Sequence, residues 1–284
     1  MIKDTFTARS EVASFAVKSL TYTNFQEEEM QAATFNVKRN DALANNVAVW
    51  MTLGIAAIGA VMMTFTSSPS VKGASFLWLP AALQLCAGVW LGWKRGFLVG
   101  AIGPYLAGIL AYGGFGLQDI VQNFIAGGLF NAMLPALLFW AMRIDPTFGA
   151  KSQGEVYSAV TRIIFLSILV LLSGFVSRLL NLPSPWGYLI PLLMLFLGSK
   201  VLLSNLTLKK ADLTKGVAVA IFISLLSALV GAIGATLSGK PLLTTLVEPG
   251  IGWFFGDTVS AMLGLGMLAV FTKQVRKLGI EGDY

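Results

Sequence analysis

The sequence predicts an all-α membrane protein, a polytopic bundle of about eight transmembrane helices with both termini in the cytoplasm. The 284 residues are 56% hydrophobic and 12% charged, and the mean hydropathy is +0.75. A soluble domain carries roughly a quarter charged residues, about twice this share. Apolar runs of about 20 residues, long enough to cross the hydrocarbon core of a bilayer, recur along the chain. The basic residues, finally, are distributed unevenly among the connecting segments.

Eight apolar stretches define the predicted transmembrane domain, residues 46–271. The third stretch is interrupted by glycines and by Pro104, but its length still permits a crossing. The predicted spans are 46–65, 76–93, 96–112, 124–142, 163–181, 188–206, 217–239 and 253–271.

The Lys and Arg residues orient this bundle. With eight spans, all of them fall on one side of the membrane except Lys72, Arg178, Lys200 and Lys240. An excess of Lys and Arg marks the cytoplasmic loops of membrane proteins. We therefore expect a multi-pass protein of the plasma (inner) membrane with both termini inside. The net charge of +6 is explained by this topology, so no nucleic-acid partner is expected.

The two ends of the chain are predicted to lie outside the bilayer. Residues 1–45 are polar and contain no early apolar core, so no cleavable signal peptide is predicted. They are expected to form a cytoplasmic N-terminal arm. This arm is either an amphipathic helix lying on the membrane or bundle, or a docking arm for a partner protein. Residues 272–284 form a short cytoplasmic tail.

Asp257 is the only carboxylate inside any of the long apolar stretches. A charge in lipid costs several kcal/mol unless it is paired or hydrated, so an intramembrane carboxylate is a candidate functional residue. With span eight entering at Trp253, Asp257 is expected about 6 Å below the outer surface, and Arg178 of span five at a matching depth of about 5 Å. An ion pair between the two is interpreted as a structural tie, a ligand-binding or sensing site, or a proton relay.

Amide side chains on span four are the second candidate feature. Asn123, Gly127 and Asn131 follow at i, i+4 and i+8 and so share one helical face. A similar stripe in span two begins at Gln84. Such stripes either hold helices together through hydrogen bonds or line a pocket.

Trp253 opens the last span and belongs either to the interfacial aromatic belt or to the wall of a ligand pocket. The predicted ligand-binding or gating residues are therefore Asp257, Arg178, Asn123, Asn131, Gln84 and Trp253.

Catalysis is not expected from this composition. The chain contains no histidine, which removes the commonest general base and metal ligand, and its single cysteine, Cys86, lies inside an apolar run. No nucleotide-binding loop, nucleophile–base set or metal-ligand cluster appears in the sequence. We therefore predict a protein that is not an enzyme, with no catalytic residues, metal site or cofactor.

Short motifs resemble the membrane-associated sensor (MASE) domains of the eight-helix type. They are WLPAA at 78–82, WLGWKRGFLVG at 90–100, QNFIAG at 122–127 and WFFGD at 253–257. The resemblance covers spans two to four and eight. It implies a membrane sensory module that passes its signal to a cytoplasmic kinase or cyclase. Since no output domain follows span eight here, we expect the readout to go through a separate protein.

A second resemblance is to the substrate-capturing S components of energy-coupling-factor transporters. It rests on GWKRGFLVGAIG at 92–103, on Gly113-Gly114 and on Asn123. It implies capture of a vitamin from outside and docking on a partner membrane subunit, although that family has six spans.

Three hypotheses remain open. In the first, the chain is a sensor-like membrane protein that binds a small ligand from the outer side. The N-terminal arm and basic inner loops then contact a membrane or cytoplasmic partner. In the second, it is a transport subunit. In the third, it is a structural or assembly subunit of a membrane complex, and all the intramembrane polar residues join helices.

Overall fold

The computed structural model describes residues 44–59, 61, 78–112, 116–182, 186–204 and 207–280. These residues form helices and short connections, with no strand among them. The chain divides into two compact units, Met1–Asn46 and Val47–Tyr284. Almost all of the first unit, and with it the predicted N-terminal arm 1–45, lies outside the described residues, as do the last residues of the predicted tail 272–284.

Seven helices make up the described part of the chain, and two of them contain a π-helical segment. α1 is Ala44–Gly59 and α2 is Pro80–Tyr112. α3 joins Leu117–Ile120, the π-helical Val121–Met133 and Leu134–Ala141. α4 is Gln153–Leu179, α5 is Trp186–Ser204, and α6 is Lys210–Thr236. α7 is Leu242–Lys277 and contains the π-helical Leu246–Gly250.

Four helices of the described chain are long and apolar enough to cross a membrane. They are Val121–Ala141, Gly154–Ser177, Lys210–Thr236 and Leu242–Lys277, and two shorter apolar helices, Ala44–Gly59 and Leu189–Gly198, accompany them. Large apolar side chains such as Phe165 and Phe196 face outward, as expected where lipid is the solvent. The predicted class, an all-α bundle with membrane-crossing helices, is confirmed.

α2 is a helical hairpin that reverses at Gly92. The Gln84 side-chain amide donates a hydrogen bond to the Gly100 carbonyl oxygen over 3.1 Å. In a straight helix these two residues would lie roughly 24 Å apart along the axis. Gly92 makes the reversal possible with φ 82° and ψ 171°, a conformation essentially restricted to glycine. The arms, 80–91 and 93–112, correspond to predicted spans two and three.

Glycines let the hairpin and α3 approach at backbone distance. A Cβ atom added to Gly96 would come within 2.5 Å of the Gly88 Cα in the opposite arm. A Cβ on Gly100 would come within 2.6 Å of the Gly127 carbonyl oxygen of α3. Small residues at regular spacing serve such close helix packing in membranes. The stripe that begins at Gln84 therefore packs the two arms and α3 together.

α7 is the central helix, and it begins before the predicted last span. It packs against α2, α4 and α6. The helix runs continuously from Leu242, before the predicted membrane span that opens at Trp253. Pro249 lies inside this helix although proline lacks the N–H that an α-helix needs. The helix continues there as one π-helical turn, Leu246–Gly250, and this turn accommodates Pro249.

The loop between α3 and α4 is fixed to the ends of two other helices. The Lys215 ammonium of α6 donates to the Met142 carbonyl oxygen over 3.0 Å. The Lys273 ammonium of α7 donates to the Ala150 carbonyl oxygen over 2.7 Å. Between these anchors, the Phe148 side chain is fully buried. The basic residues at this end of the bundle thus hold the loop as well as contributing charge.

Candidate functional site

Three polar residues from three helices meet inside the bundle. Asn131 comes from the π-helical segment of α3, Ser227 from α6 and Asp257 from α7. We call this cluster the polar centre. The Asn131 amide nitrogen donates to the Asp257 Oδ2 over 3.2 Å, and the Ser227 hydroxyl lies near the same carboxyl group. The structure thus brings together Asp257 and Asn131, two of the residues that the sequence singles out.

The polar centre is removed from solvent. Asp257 is 5% exposed, Asn131 3% and Ser227 5%. Asn131 and Ser227 are both neutral, so they orient the carboxyl group without balancing a negative charge. An ionised carboxylate in such surroundings is costly unless a positive charge accompanies it. The three members of the polar centre therefore supply one negative charge and no positive charge.

Ser227 is the member of the centre that sequence reasoning missed. It lies within a span that the sequence identifies only by its apolar character. The available signal was a row of small residues on one side of α6, Ser224, Ser227 and Gly231, at spacings of three and four. Serines in apolar helices often bond their own backbone, as the Ser224 hydroxyl does with the Ala220 carbonyl oxygen. Sequence alone does not separate that arrangement from an interhelical contact.

Gln84 lies on the hairpin and contacts the π-helical segment of α3. A Cβ added to Gly127 would come within 3.0 Å of the Gln84 amide nitrogen. Asn131 follows Gly127 by four residues on α3. The Gln84 amide N–H donates to the Gly100 carbonyl oxygen over 3.1 Å, so Gln84 joins the two arms of the hairpin.

One oxygen of the polar centre has no hydrogen-bond partner among the described residues. It is the buried Asn131 Oδ1, on the same side chain whose nitrogen donates to Asp257. Buried polar atoms are nearly always paired in folded proteins, and each exception indicates strain, function or a bound group. The contact of this amide with a buried carboxyl group marks the polar centre as the functional candidate.

The π-helical segment Val121–Met133 gives α3 an unusual shape at the polar centre. π-helical turns are rare, usually a single turn long, and frequent at functional sites. Here the segment contains Gly127 and Asn131, which face α2 and α7 respectively. Asn123 lies eight residues before Asn131 on the same segment and is half-buried. Gly127 and Asn131 thus contact different neighbouring helices, and a pocket-lining face that includes Asn123 stays a prediction.

Trp253 packs against the neighbouring helix one turn from Asp257. A Cβ on Gly231 of α6 would come within 2.9 Å of the Trp253 ring. The Gln122 amide of α3 donates to the Gly231 carbonyl oxygen over 3.4 Å. This close meeting of α3, α6 and α7 lies directly beside the polar centre and closes one side of it.

Arg178 lies on α4, one residue before the end of that helix, and its side chain is outside the described residues. The ion pair with Asp257 therefore stays a prediction. The matching depth of Arg178 and Asp257 below the outer surface likewise stays a prediction. α4 does pack against α7, with Leu166, Val170 and Val259 in one apolar cluster.

The polar centre offers oxygen acceptors to a ligand. The carboxylate and the amide and hydroxyl oxygens are hard acceptors for a cation, an ammonium group or a hydrogen-bond donor. No group of three or more His, Cys, Asp or Glu side chains that could hold a metal ion occurs within the described part of the chain.

Comparisons with family models, with curated proteins and with solved structures found no match to this chain.

Proposed function

We propose that the chain is a non-catalytic, sensor-like protein of the plasma (inner) membrane that binds a small ligand from the outer side at the polar centre. The observation that carries this proposal is the buried Asp257 carboxyl group, which receives a hydrogen bond from Asn131 of another helix while the Asn131 oxygen itself has no partner among the residues that the structure describes. A bundle held only by helix-joining bonds has no need for a carboxylate there, since amides perform that task without a charge.

The proposed topology has eight spans with both termini in the cytoplasm. The distribution of Lys and Arg supports it. The reversal at Gly92 also supports it, because the Lys94-Arg95 pair follows two residues after the turn between the hairpin arms. With this orientation the α3–α4 loop and the C-terminal end of α7 face the cytoplasm.

A partner protein is the proposed receiver of the signal. The N-terminal arm 1–45 and the basic residues of the inner loops are the proposed contacts. Anchoring of the α3–α4 loop by Lys215 and Lys273 supports this part of the proposal. A shift of α6 or α7 at the polar centre would then move a loop at the cytoplasmic end. Both helices therefore connect the proposed ligand site to the proposed partner surface.

A structural or assembly role is the second candidate. It is favoured by the burial of Asp257, at 5% exposure, and by the backbone-distance packing of α2 against α3. In that case the carboxyl group would only join α3, α6 and α7. The two functions differ in whether water and solutes reach the polar centre from outside.

Cysteine labelling in intact cells tests this difference. Cys86 is the single native cysteine, and its thiol donates to the Gly264 carbonyl oxygen over 3.3 Å, so Cys86→Ser retains a donor in the parent variant. In this parent, Ser227→Cys is placed at the centre. Ser224→Cys, three residues away on the same helix and fully buried, is the matched control. A membrane-impermeant maleimide is added from outside.

We expect labelling of Cys at position 227 and none at position 224. If neither position reacts in the folded protein while both react after denaturation, the polar centre is closed. The assembly function then replaces the ligand-binding one.

A further inference from the structure

The polar centre has the chemical character of a cation site. Its acceptors are one carboxylate and neutral oxygens, and these are the ligands that hard cations prefer. Asp257 supplies the only formal charge among its three members. A divalent ion would leave a net positive charge in the bundle core, whereas a monovalent cation balances the carboxylate. Charge balance therefore selects a monovalent cation.

The position of Asn131 fits this assignment. Its amide nitrogen lies 3.2 Å from the Asp257 Oδ2, and its own oxygen has no hydrogen-bond donor among the described residues. Rotation of the amide by half a turn exchanges its oxygen and nitrogen positions. The Asn131 oxygen would then lie about 3.2 Å from the Asp257 Oδ2. Adjacent ligands of a six-coordinate cation with bonds near 2.4 Å lie roughly 3.4 Å apart, which is close to this distance.

Protonation of Asp257 is the other way to remove its charge, and it supplies a single hydrogen-bond donor. A cation instead binds oxygen lone pairs, and rotation of the Asn131 amide or the Ser227 hydroxyl turns a lone pair toward it. The Asn131 Oδ1, which has no hydrogen-bond partner in the described part of the chain, is available for this role.

We propose that the polar centre binds a small monovalent cation, an inorganic ion of the size of Na⁺ or the ammonium head of an organic ligand, through Asp257, Asn131 and Ser227. The inference rests on the proposed function, since it names the chemical class of the ligand. A quaternary ammonium such as choline has no N–H donor, and its methyl groups keep the charge away from the oxygens, so choline does not bind. A cation that binds only the folded state stabilises it by RT ln(1 + [L]/Kd), so Tm keeps rising with the logarithm of concentration above Kd.

The test uses the full chain in nanodiscs at constant pH and constant ionic strength. Choline chloride is replaced stepwise by sodium chloride, by methylammonium chloride or by potassium chloride, and thermal unfolding is followed by tryptophan fluorescence. We expect Tm to rise with the logarithm of the sodium or methylammonium concentration above Kd, and to stay constant with choline. A rise with sodium identifies an inorganic ion, and a rise with methylammonium alone identifies an ammonium ligand.

Variants assign the effect to the polar centre. Asp257→Asn should abolish the rise, and Asn131→Leu should increase the Kd about tenfold or more. If Asp257→Asn does not fold, the loss of cation affinity is measured instead in Asn131→Leu and Ser227→Ala. Ser224→Ala is the control that keeps the wild-type response, because the Ser224 hydroxyl bonds its own helix.

Equal Tm in all four salts would overturn the inference, as would a sodium response that persists unchanged in the folded Asp257→Asn or Asn131→Leu protein. The labelling experiment separates this failure from that of the proposed function. Reaction of Cys at position 227 without any cation response would leave a ligand pocket but remove the cation. A cation response without labelling would leave the cation site but remove access from outside.

Discussion

The Gln84 amide and the Gly100 carbonyl oxygen, 16 residues apart in the chain, are joined by a hydrogen bond of 3.1 Å across the α2 hairpin. This bond closes the hairpin about Gly92, while a Cβ on Gly127 of α3 would lie 3.0 Å from the same amide nitrogen. The hairpin and the π-helical segment of α3 therefore pack in close contact. The polar centre lies four residues further along α3.

The first prediction concerns the reversal itself. Gly92→Ala places a side chain at φ 82° and ψ 171°, which costs about 1–3 kcal/mol of folding free energy. We expect a clear fall in Tm for the purified protein in detergent. Gly54→Ala in α1 is the control, since a Cβ there meets nothing within 4 Å and alanine is the better helix former. Equal Tm values for the two variants would contradict a tight turn at Gly92.

The contact between the hairpin and α3 gives the second prediction. A Cβ on Gly100 would lie 2.6 Å from the Gly127 carbonyl oxygen and 2.7 Å from the Ala132 Cβ, so backbones must separate. Gly100→Ala should destabilise the protein by about 1–3 kcal/mol, as overpacking does. Gly266→Ala is the matched control, because its Cβ would meet Val160 of α4 at 3.7 Å, an ordinary contact. Thermal unfolding measures the difference in Tm between the two variants. A Gly100→Ala protein as stable as Gly266→Ala would contradict the close approach of the hairpin to α3.

Much of this fold follows from the sequence by simple physics. Hydropathy identifies the membrane-crossing helices because their length must match the hydrocarbon core. The reversal between spans two and three was expected close to Lys94-Arg95, and it occurs at Gly92. The last helix begins at Leu242, before the predicted span, and a π-helical turn accommodates Pro249 although proline normally ends α-helices. Local sequence does not encode which of these outcomes tertiary packing selects.

The candidate site was predictable in part. A lone carboxylate in an apolar run singled out Asp257, and spacing on one helical face singled out Asn131. Their contact depends on α3 and α7 being neighbours, and helix periodicity carries no information about neighbours. Ser227 stayed hidden for the same reason, since a serine in an apolar helix commonly bonds its own backbone.

The third prediction concerns Asp145 in the α3–α4 loop, outside the membrane-crossing segments. Partial burial alone would raise the pKa of Asp145, but hydrogen bonds from the Thr147 hydroxyl (2.7 Å) and amide (3.0 Å), together with nearby Arg276, hold the pKa below its ordinary value. Because the pKa is lower in the folded state, the ionised carboxylate stabilises the protein at neutral pH. That contribution disappears as the pH falls below about 4, the usual range of Asp in unfolded chains.

Asp145→Asn should therefore lower stability at pH 7 by about 1 kcal/mol, a value reduced by the partial exposure of the side chain. Chemical unfolding of wild type and variant at a series of pH values measures the difference. We expect the two curves to converge as the pH falls through and below about 4. A difference that stays constant down to pH 3, about a unit below the reference value, would show that charge is not the cause.

The fourth prediction concerns the bond between the hairpin and the central helix. The Trp90 indole N–H donates to the Thr272 hydroxyl over 3.0 Å, and that hydroxyl in turn donates to the Leu268 carbonyl oxygen over 2.6 Å. Both residues are buried, so the bond joins the hairpin to α7 within the bundle. In a double-mutant cycle with Trp90→Phe and Thr272→Val, we expect a coupling energy of about 0.6 kcal/mol, and at most about 1.7 kcal/mol.

The single variants lose more stability than this coupling, because Trp90→Phe also removes packing and Thr272→Val leaves the indole donor without a partner. Unfolding of the four proteins in mixed micelles supplies the cycle. Additive effects, with a coupling energy near zero, would mean that the indole and the hydroxyl do not interact. α7 would then be held against the hairpin by apolar contacts such as those of Leu85 and Leu265 in the bundle core.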